Sequence, residues 1–221
     1  TLFGITKAIR EYLYKHDVNL PWEKDSFAHN YFLAKKIVQT VKKVCPKSSI
    51  IMEYLTDIAK CYGNESKTIK WNTPSKFYVN QNYFIQNSKQ IKTKIGISTV
   101  RLSLNEETDE VNSNKSTRSF AANFVHSLDA ANVHLALEKS HKRGLKNFTT
   151  IHDCFGSTAA DIEEFISCVK QSFVEMYTSN VLDDLYDQSV IQLDKPQKLP
   201  TPPDLGDFNI CEVLDAPYVF S

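Results

Sequence analysis

Thr149-Thr150-Ile151-His152-Asp153-Cys154-Phe155-Gly156 is an apolar, β-prone run that ends in a His-Asp pair and is cut at once by Phe-Gly. The pattern reads as strand, tight turn, strand, with the Asp153 carboxylate held where the extended segment breaks. A carboxylate in that position can ligate Mg2+, a hard cation that takes oxygen ligands and completes its shell with waters and substrate phosphates. Alone the pair is a weak signal, because Asp is common in turns. A two-metal site also needs a further carboxylate to hold the ions about 4 Å apart. His152 either donates to a phosphate or supports the turn.

A second block, Asn123-Phe124-Val125-His126-Ser127-Leu128-Asp129, lies upstream and is joined to the first by a helical pattern that stops at Gly144. Phe124, Leu128, Ala131 and Leu135 make its apolar stripe, and Gly144 is a helix-stop signal. His126 and Asp129 are three apart, so they are neighbours on one face. Downstream, Thr158-Ala159-Ala160-Asp161 resembles a capping box, and Ile162, Phe165, Ile166, Val169, Phe173 and Met176 continue as a helical stripe. A Pro-rich loop over 196–203 then leads to the tail Asp215-Ala216-Pro217-Tyr218-Val219-Phe220-Ser221.

Upstream of the second block, residues 105–119 are polar without apolar period and read as a surface loop. Before them, alternation over 77–85 and a second extended run over 91–104 read as one long hairpin. Lys89, Lys92, Lys94 and Arg101 stud it, which predicts a basic outward face. Three helices precede the hairpin. Leu2, Ile5, Ile9, Leu13 and His16 mark the first. Ser26, as cap, with Phe27, Tyr31, Ala34, Val38 and Val41 marks the second, ended by Cys45-Pro46. Ile51, Tyr54, Leu55, Ile58 and Tyr62 mark the third, closed by Gly63-Asn64. The order is α+β, mainly helical, without internal repeats.

The chain of 221 residues has zero formal charge, but residues 1–103 hold 17 Lys/Arg against 7 Asp/Glu and residues 104–221 hold 9 against 19, so the halves are +10 and −10. A basic half suits a polyanionic partner, although solvated helix faces are the usual meaning of Lys-rich runs. No apolar run approaches the roughly 20 residues of a membrane span, so no membrane partner is expected. The 5 cysteines form no CxxC and leave one unpaired, which argues for a reducing compartment and thiols packed as small apolar groups. The chain opens on Thr1 rather than Met, which reads as part of a longer polypeptide.

The two blocks together carry a resemblance. Asn123 to Asp129 followed by Ile151-His152-Asp153-Cys154-Phe155-Gly156 resembles the C-terminal palm of the single-subunit DNA-dependent RNA polymerases of phages and mitochondria, a right-hand polymerase fold. Tyr186-Asp187-Gln188 and the tail Tyr218-Val219-Phe220-Ser221 are similar to that family as well. So is Trp71-Asn72-Thr73-Pro74-Ser75-Lys76-Phe77-Tyr78-Val79-Asn80-Gln81-Asn82-Tyr83, which resembles the segment before the family's promoter-reading hairpin. Thr1-Leu2-Phe3-Gly4-Ile5-Thr6 resembles the end of its fingers helix.

The resemblance implies fingers over 1–70, a promoter-reading hairpin and loop over 71–119, and palm with a C-terminal foot (Phe220, Ser221) over 120–221. It implies that Asp153 is a catalytic Mg2+ ligand supported by His152, and that His126 and Asp129 lie on the helix facing the nascent base pair. Phe3 and Gly4 would stand at the point of nucleotide selection. Lys89, Lys92, Lys94 and Arg101 would meet promoter DNA in the major groove, where a two-stranded ribbon fits. The implied partners are double-stranded promoter and template DNA, nascent RNA, nucleoside triphosphates and an upstream portion of the same polymerase. The implied setting is the mitochondrion, with a plasmid-borne gene as one form.

Departures from the family pattern matter too. Phe3 replaces a usual Tyr, which implies weaker discrimination against deoxynucleotides. Lys76, Tyr78 and Ala122 replace a usual Gly, Pro and Pro. The family's first catalytic carboxylate and its triphosphate-holding cations precede anything present, so the resemblance implies that this segment is inactive by itself. The alternative is an inactive or split-polymerase fragment that only holds nucleic acid. A His-Asp metal phosphohydrolase ranks lower, because His16, His29, His134 and His141 show no matching arrangement.

Overall fold

The computed structural model describes residues 2–18, 20–96, 98–151 and 154–218, with the backbone alone at Ile95. The chain is α+β, 55% of its described residues are helical, and its described strands form three separate two-stranded antiparallel pairs. It divides into two compact units, residues 1–52 and 53–221.

In the first unit α1 (Leu2–Lys15) packs on α2 (Phe27–Val44). Leu13 and Ala34 are buried, and the buried Thr6 hydroxyl returns to its own helix at the Leu2 carbonyl, 2.8 Å away. The connection is fixed by polar groups: Arg10 pairs with Asp25 at 2.5 Å, Lys24 with Asp17 at 2.6 Å, and Asn30 donates to the Lys24 carbonyl at 2.8 Å. Trp22 stacks on His29. Of the predicted α2 stripe only Ala34 is fully buried, while Phe27 and Val41 are exposed. Ser26 does stand at the N-cap, but its hydroxyl engages His29 Nδ1 at 2.5 Å rather than a backbone amide. Helix α3 (Pro46–Asn64) begins on the proline that ends α2, where a missing N–H costs nothing.

The second unit is organised by α4 (Ser113–Lys142), about 45 Å of helix at 1.5 Å per residue. Residues 105–119 are therefore not a loop. They divide between the end of β4 (Ser98–Val111) and the first turns of α4, with the Asn112 side chain accepting the Lys115 amide at 3.0 Å as the cap. The stretch hid its structure because β4 is solvated on both faces and α4 opens on polar residues, so neither part carries an apolar period. The single hairpin expected over 77–104 is likewise two. Strands β1 (Ile69–Asn72) and β2 (Tyr78–Gln81) pair through a turn at Lys76, φ +62°, and β3 (Phe84–Ile95) pairs with β4 around Gly96, also φ +62°. The first member, 69–72, has too few residues to show its period.

Gly63 lies inside α3 rather than past its end. A Cβ there would sit 3.0 Å from Ser113 Cβ, so this glycine admits the start of α4. One core gathers Trp71, Phe120 and Phe124, with Trp71 edge-on to Phe120 at 5.5 Å between ring centres. Another gathers Ala136, Leu145, Phe165 and Val169 beneath β5 (Phe148–Ile151) and β6 (Cys154–Ser157), whose Phe148 and Phe155 each lie 6.0 Å from Phe165.

α4 ends where expected, with Gly144 at φ +89° and its amide on the His141 carbonyl. Helix α5 (Ile162–Thr178) follows the predicted stripe, except that Ile166 is exposed. Its capping box does not form: the Thr158 hydroxyl donates to the Asp161 carboxylate at 2.9 Å. Helix α6 (Val181–Gln192), a 3-10 turn at Pro196–Lys198 and the short α7 (Glu212–Asp215) complete the order. Lys170 on α5 donates to the Ala216 carbonyl at 2.6 Å, tethering the chain after α7.

Candidate active site

β5 and β6 pair in the register Phe148↔Ser157, Thr149↔Gly156, Thr150↔Phe155 and Ile151↔Cys154. The two strands of that reading form, and they pair antiparallel. His152 and Asp153, the two residues between the strands, lie outside the described residues, as do Thr1, Phe220 and Ser221. Gly156 has a local cause: a Cβ there would meet Thr149 Cγ2 across the pair at 2.9 Å. Ile151 and Cys154, the last residue of β5 and the first of β6, are exposed.

The block 123–129 divides by helix face. Phe124 and Leu128 are buried, and Ser127 accepts the Trp71 indole N–H at 2.9 Å while donating to the Phe124 carbonyl at 2.7 Å. His126 and Asp129 are both exposed, on the shared face that their spacing predicts. Burial pushes the Tyr177 hydroxyl pKa up, and the Asp129 charge raises it further. Asn123 turns inward, its amide nitrogen donating to Gln81 Oε1 at 2.8 Å and to the Tyr83 hydroxyl at 3.2 Å. Gln81 in turn donates to both the carbonyl and the hydroxyl of Ser116, each at 2.9 Å. The signal available in the sequence for this network was a pair of amides, Gln81 and Asn123, at inward positions of otherwise apolar stripes.

Lys89, Lys92, Lys94 and Arg101 are all exposed, but they do not share one face. Residues directly opposite in an antiparallel pair point the same way. Lys92 stands opposite Arg101 and Lys94 opposite Thr99, with Gln90 opposite Ser103, so three of the cations line one polar face. Lys89 stands opposite Leu104, next to the Ile91–Leu102 pair, on the other, apolar face. The basic outward face expected from the sequence is formed by Lys92, Lys94 and Arg101, with Lys89 on the other side of the ribbon.

Phe3 and Gly4 belong to the first unit, in the first turn of α1, where Phe3 is 69% exposed and its ring lies 6.4 Å from that of Phe27. In the second unit Gln188 of α6 holds the edge of β1, accepting the Asn72 amide at 2.6 Å and donating to the Asn72 carbonyl at 3.3 Å, and Gln192 donates to the Lys70 carbonyl at 2.9 Å. These groups border an open cleft of about 620 Å³ lined also by Tyr62, Lys67 and Tyr78. The Glu65 carboxylate accepts the amides of Asp194 and Lys195 at 2.8 and 3.0 Å and pairs with Lys67 at 3.1 Å. The Asp194 amide leads in holding its pKa down, and the side-chain contact to Asp194 leads in raising that of Lys67. Among the described residues no group of three or more His, Cys, Asp or Glu is placed to hold a metal ion. No helix among them is long and apolar enough to cross a membrane.

A family model for DNA-dependent RNA polymerase matches residues 1–197. The chain is 31% identical over 202 residues to DNA-directed RNA polymerase 2, chloroplastic/mitochondrial, of Arabidopsis thaliana, covering 90% of this chain and 19% of that protein. It is 30% identical over 221 residues to the mitochondrial DNA-directed RNA polymerase 1B of Nicotiana tabacum, covering all of this chain and 21% of that protein. Against the mitochondrial DNA-directed RNA polymerase 1 of Nicotiana sylvestris the identity is 31% over 199 residues, 90% of this chain and 19% of that protein. The chain thus spans about a fifth of the length of these relatives. With its paired β5 and β6, its α4 block and its two-stranded ribbon, the chain belongs to the DNA-dependent RNA polymerase family of the single-subunit, phage and mitochondrial type.

Proposed function

We propose that this chain is the C-terminal fingers and palm portion of a transcribing polymerase, with fingers over 1–70, a promoter-reading segment over 71–119 and palm over 120–221. The observation that carries the reading is the family match over residues 1–197 combined with a β5–β6 register that leaves only His152 and Asp153 between paired strands. In the complete enzyme the RNA 3′ hydroxyl attacks the α-phosphate of a nucleoside triphosphate, forming a phosphodiester and releasing pyrophosphate. Asp153 would hold Mg2+, which when bound supplies positive charge to the attacking and leaving oxygens. His152 supports the same turn, and His126 with Asp129 present a polar, solvent-facing surface on α4 for the nascent pair. Phe3 and Gly4 stand at the nucleotide-selection position, where a phenyl ring offers no hydroxyl to read a ribose.

Lys92, Lys94 and Arg101 face duplex DNA from the polar side of the ribbon, a shape that the major groove admits. Lys89 contributes charge from the opposite face. The relatives named mitochondrial and chloroplastic support an organellar setting, and we place the protein in the mitochondrion. The test is Asp153→Asn in the full-length polymerase. Nucleotide addition is expected to fall by about a hundred- to a thousandfold, the scale of losing a group that acts only on developing charge, while DNA affinity stays within about twofold. Wild-type extension by that variant would sink the assignment. A second reading, a template-holding module without chemistry of its own, draws on the exposed cations of the ribbon. Salt-sensitive duplex binding by a complex that extends no primer would favour it.

A further inference from the structure

The ribbon β3–β4 is exposed along almost its whole length, and its described ties to the body lie at its base. There the Asn112 amide donates to the Tyr83 carbonyl at 2.8 Å, and Lys115 of α4 sits 4.5 Å over the Tyr83 ring. A two-stranded ribbon has no sheet neighbours to hold its direction, so its angle to the body is decided at that base. The groups that decide it form a directional relay. The Ser116 carbonyl can only accept, so Gln81 must turn its nitrogen to Ser116 and its oxygen to Asn123. Asn123 must then present its nitrogen, and the same nitrogen reaches the Tyr83 hydroxyl one residue before β3 begins. Flipping either amide sets like atoms against each other. Ser116 is 2% and Gln81 5% exposed, so no solvent replaces a lost partner there. Asn123 is one helical turn from His126 on α4.

We propose that Gln81, Asn123 and Tyr83 are positioning residues that set the register between DNA held on the ribbon and the His126–Asp129 stretch of α4, and so fix the base at which transcription starts. The inference rests on the polymerase reading above. A ribbon tilted at its base displaces a bound duplex along its own axis relative to α4, and 3.4 Å of displacement is one base pair.

The experiment uses the full-length polymerase in two assays. One maps RNA 5′ ends on linear duplex DNA carrying a start site already mapped with the wild-type enzyme. The other extends an RNA primer on a preassembled RNA–DNA scaffold, which needs no promoter. Tyr83→Phe removes a single acceptor and keeps the ring over Lys115; Gln81→Glu sets a carboxylate oxygen against the Ser116 carbonyl. Both are expected to spread the 5′ ends to neighbouring bases and to lower promoter-dependent initiation about three- to tenfold, the equivalent of one hydrogen bond. Scaffold extension should stay within about twofold.

Unchanged 5′ ends with intact initiation, or an equal fall in both assays, would overturn the inference. A Lys92→Ala, Lys94→Ala, Arg101→Ala variant separates the two levels. If that triple change leaves initiation intact, the ribbon does not hold DNA, and the underlying reading fails along with this inference. If it abolishes initiation while Tyr83→Phe shifts nothing, only the inference fails.

Discussion

Gly156 and Glu65 show how single residues here answer to geometry that no local pattern announces. The hydrogen side chain of Gly156 is what lets β6 pass Thr149, since a Cβ would approach Thr149 Cγ2 to 2.9 Å. Gly156→Ala is expected to destabilise the β5–β6 pair by about 1–2 kcal/mol. Faster hydrogen exchange of the Thr149 and Cys154 amides, which face across the pair, would register it, and unchanged exchange would refute it. Glu65 has its pKa lowered by the amides of Asp194 and Lys195 and by Lys67. A carboxyl depressed in the folded state stabilises above its unfolded pKa, and that contribution is lost as pH falls through the folded value. Protection of the Asp194 and Lys195 amides, corrected for intrinsic exchange, should therefore be full at neutral pH and decline below the usual glutamate range near about 4.3. In Glu65→Gln the decline should be absent and protection low throughout.

The elements were legible in proportion to how much of each is buried on one side. The stripe of α5 and the stop of α4 at Gly144 stood in the sequence because a one-sided core imposes a helical period. The polar stretch 105–119 did not, since β4 is wet on both faces and α4 begins on a polar turn capped by Asn112. For the ribbon, residue types gave the cations but not their sides, which depend on register. That register makes a prediction at this scale. Binding of the full-length polymerase to duplex DNA should lose about 2–3 units of its log–log salt slope when Lys92, Lys94 and Arg101 are all changed to Ala, at about 0.9 per phosphate contact. Lys89→Ala should change it by less than any single member of that set. Equal effects from Lys89 would mean that DNA contacts both faces.

At the scale of the whole molecule, α4 links what the sequence displayed as separate blocks. Its first turns abut α3 through Gly63 and Ser113, its middle carries Asn123 and the exposed His126 and Asp129, and its last turns pack with Phe165 beneath the β5–β6 pair. The candidate site was visible in the chain as two short blocks and one carboxylate. Its supports were not: the Gln188 clamp on Asn72 joins residues 116 positions apart, and Gln81 meets Asn123 across 42. Long-range pairings of amides leave no period to read. Trp71 lies at the centre of this arrangement, 1% exposed, with its indole N–H on Ser127 of α4. An indole in so dry a setting emits to the blue of one in water, and that colour depends on α4 staying in place. The junction between strand and helix therefore carries its own optical gauge, reporting by a red shift any event that lifts α4 from β1.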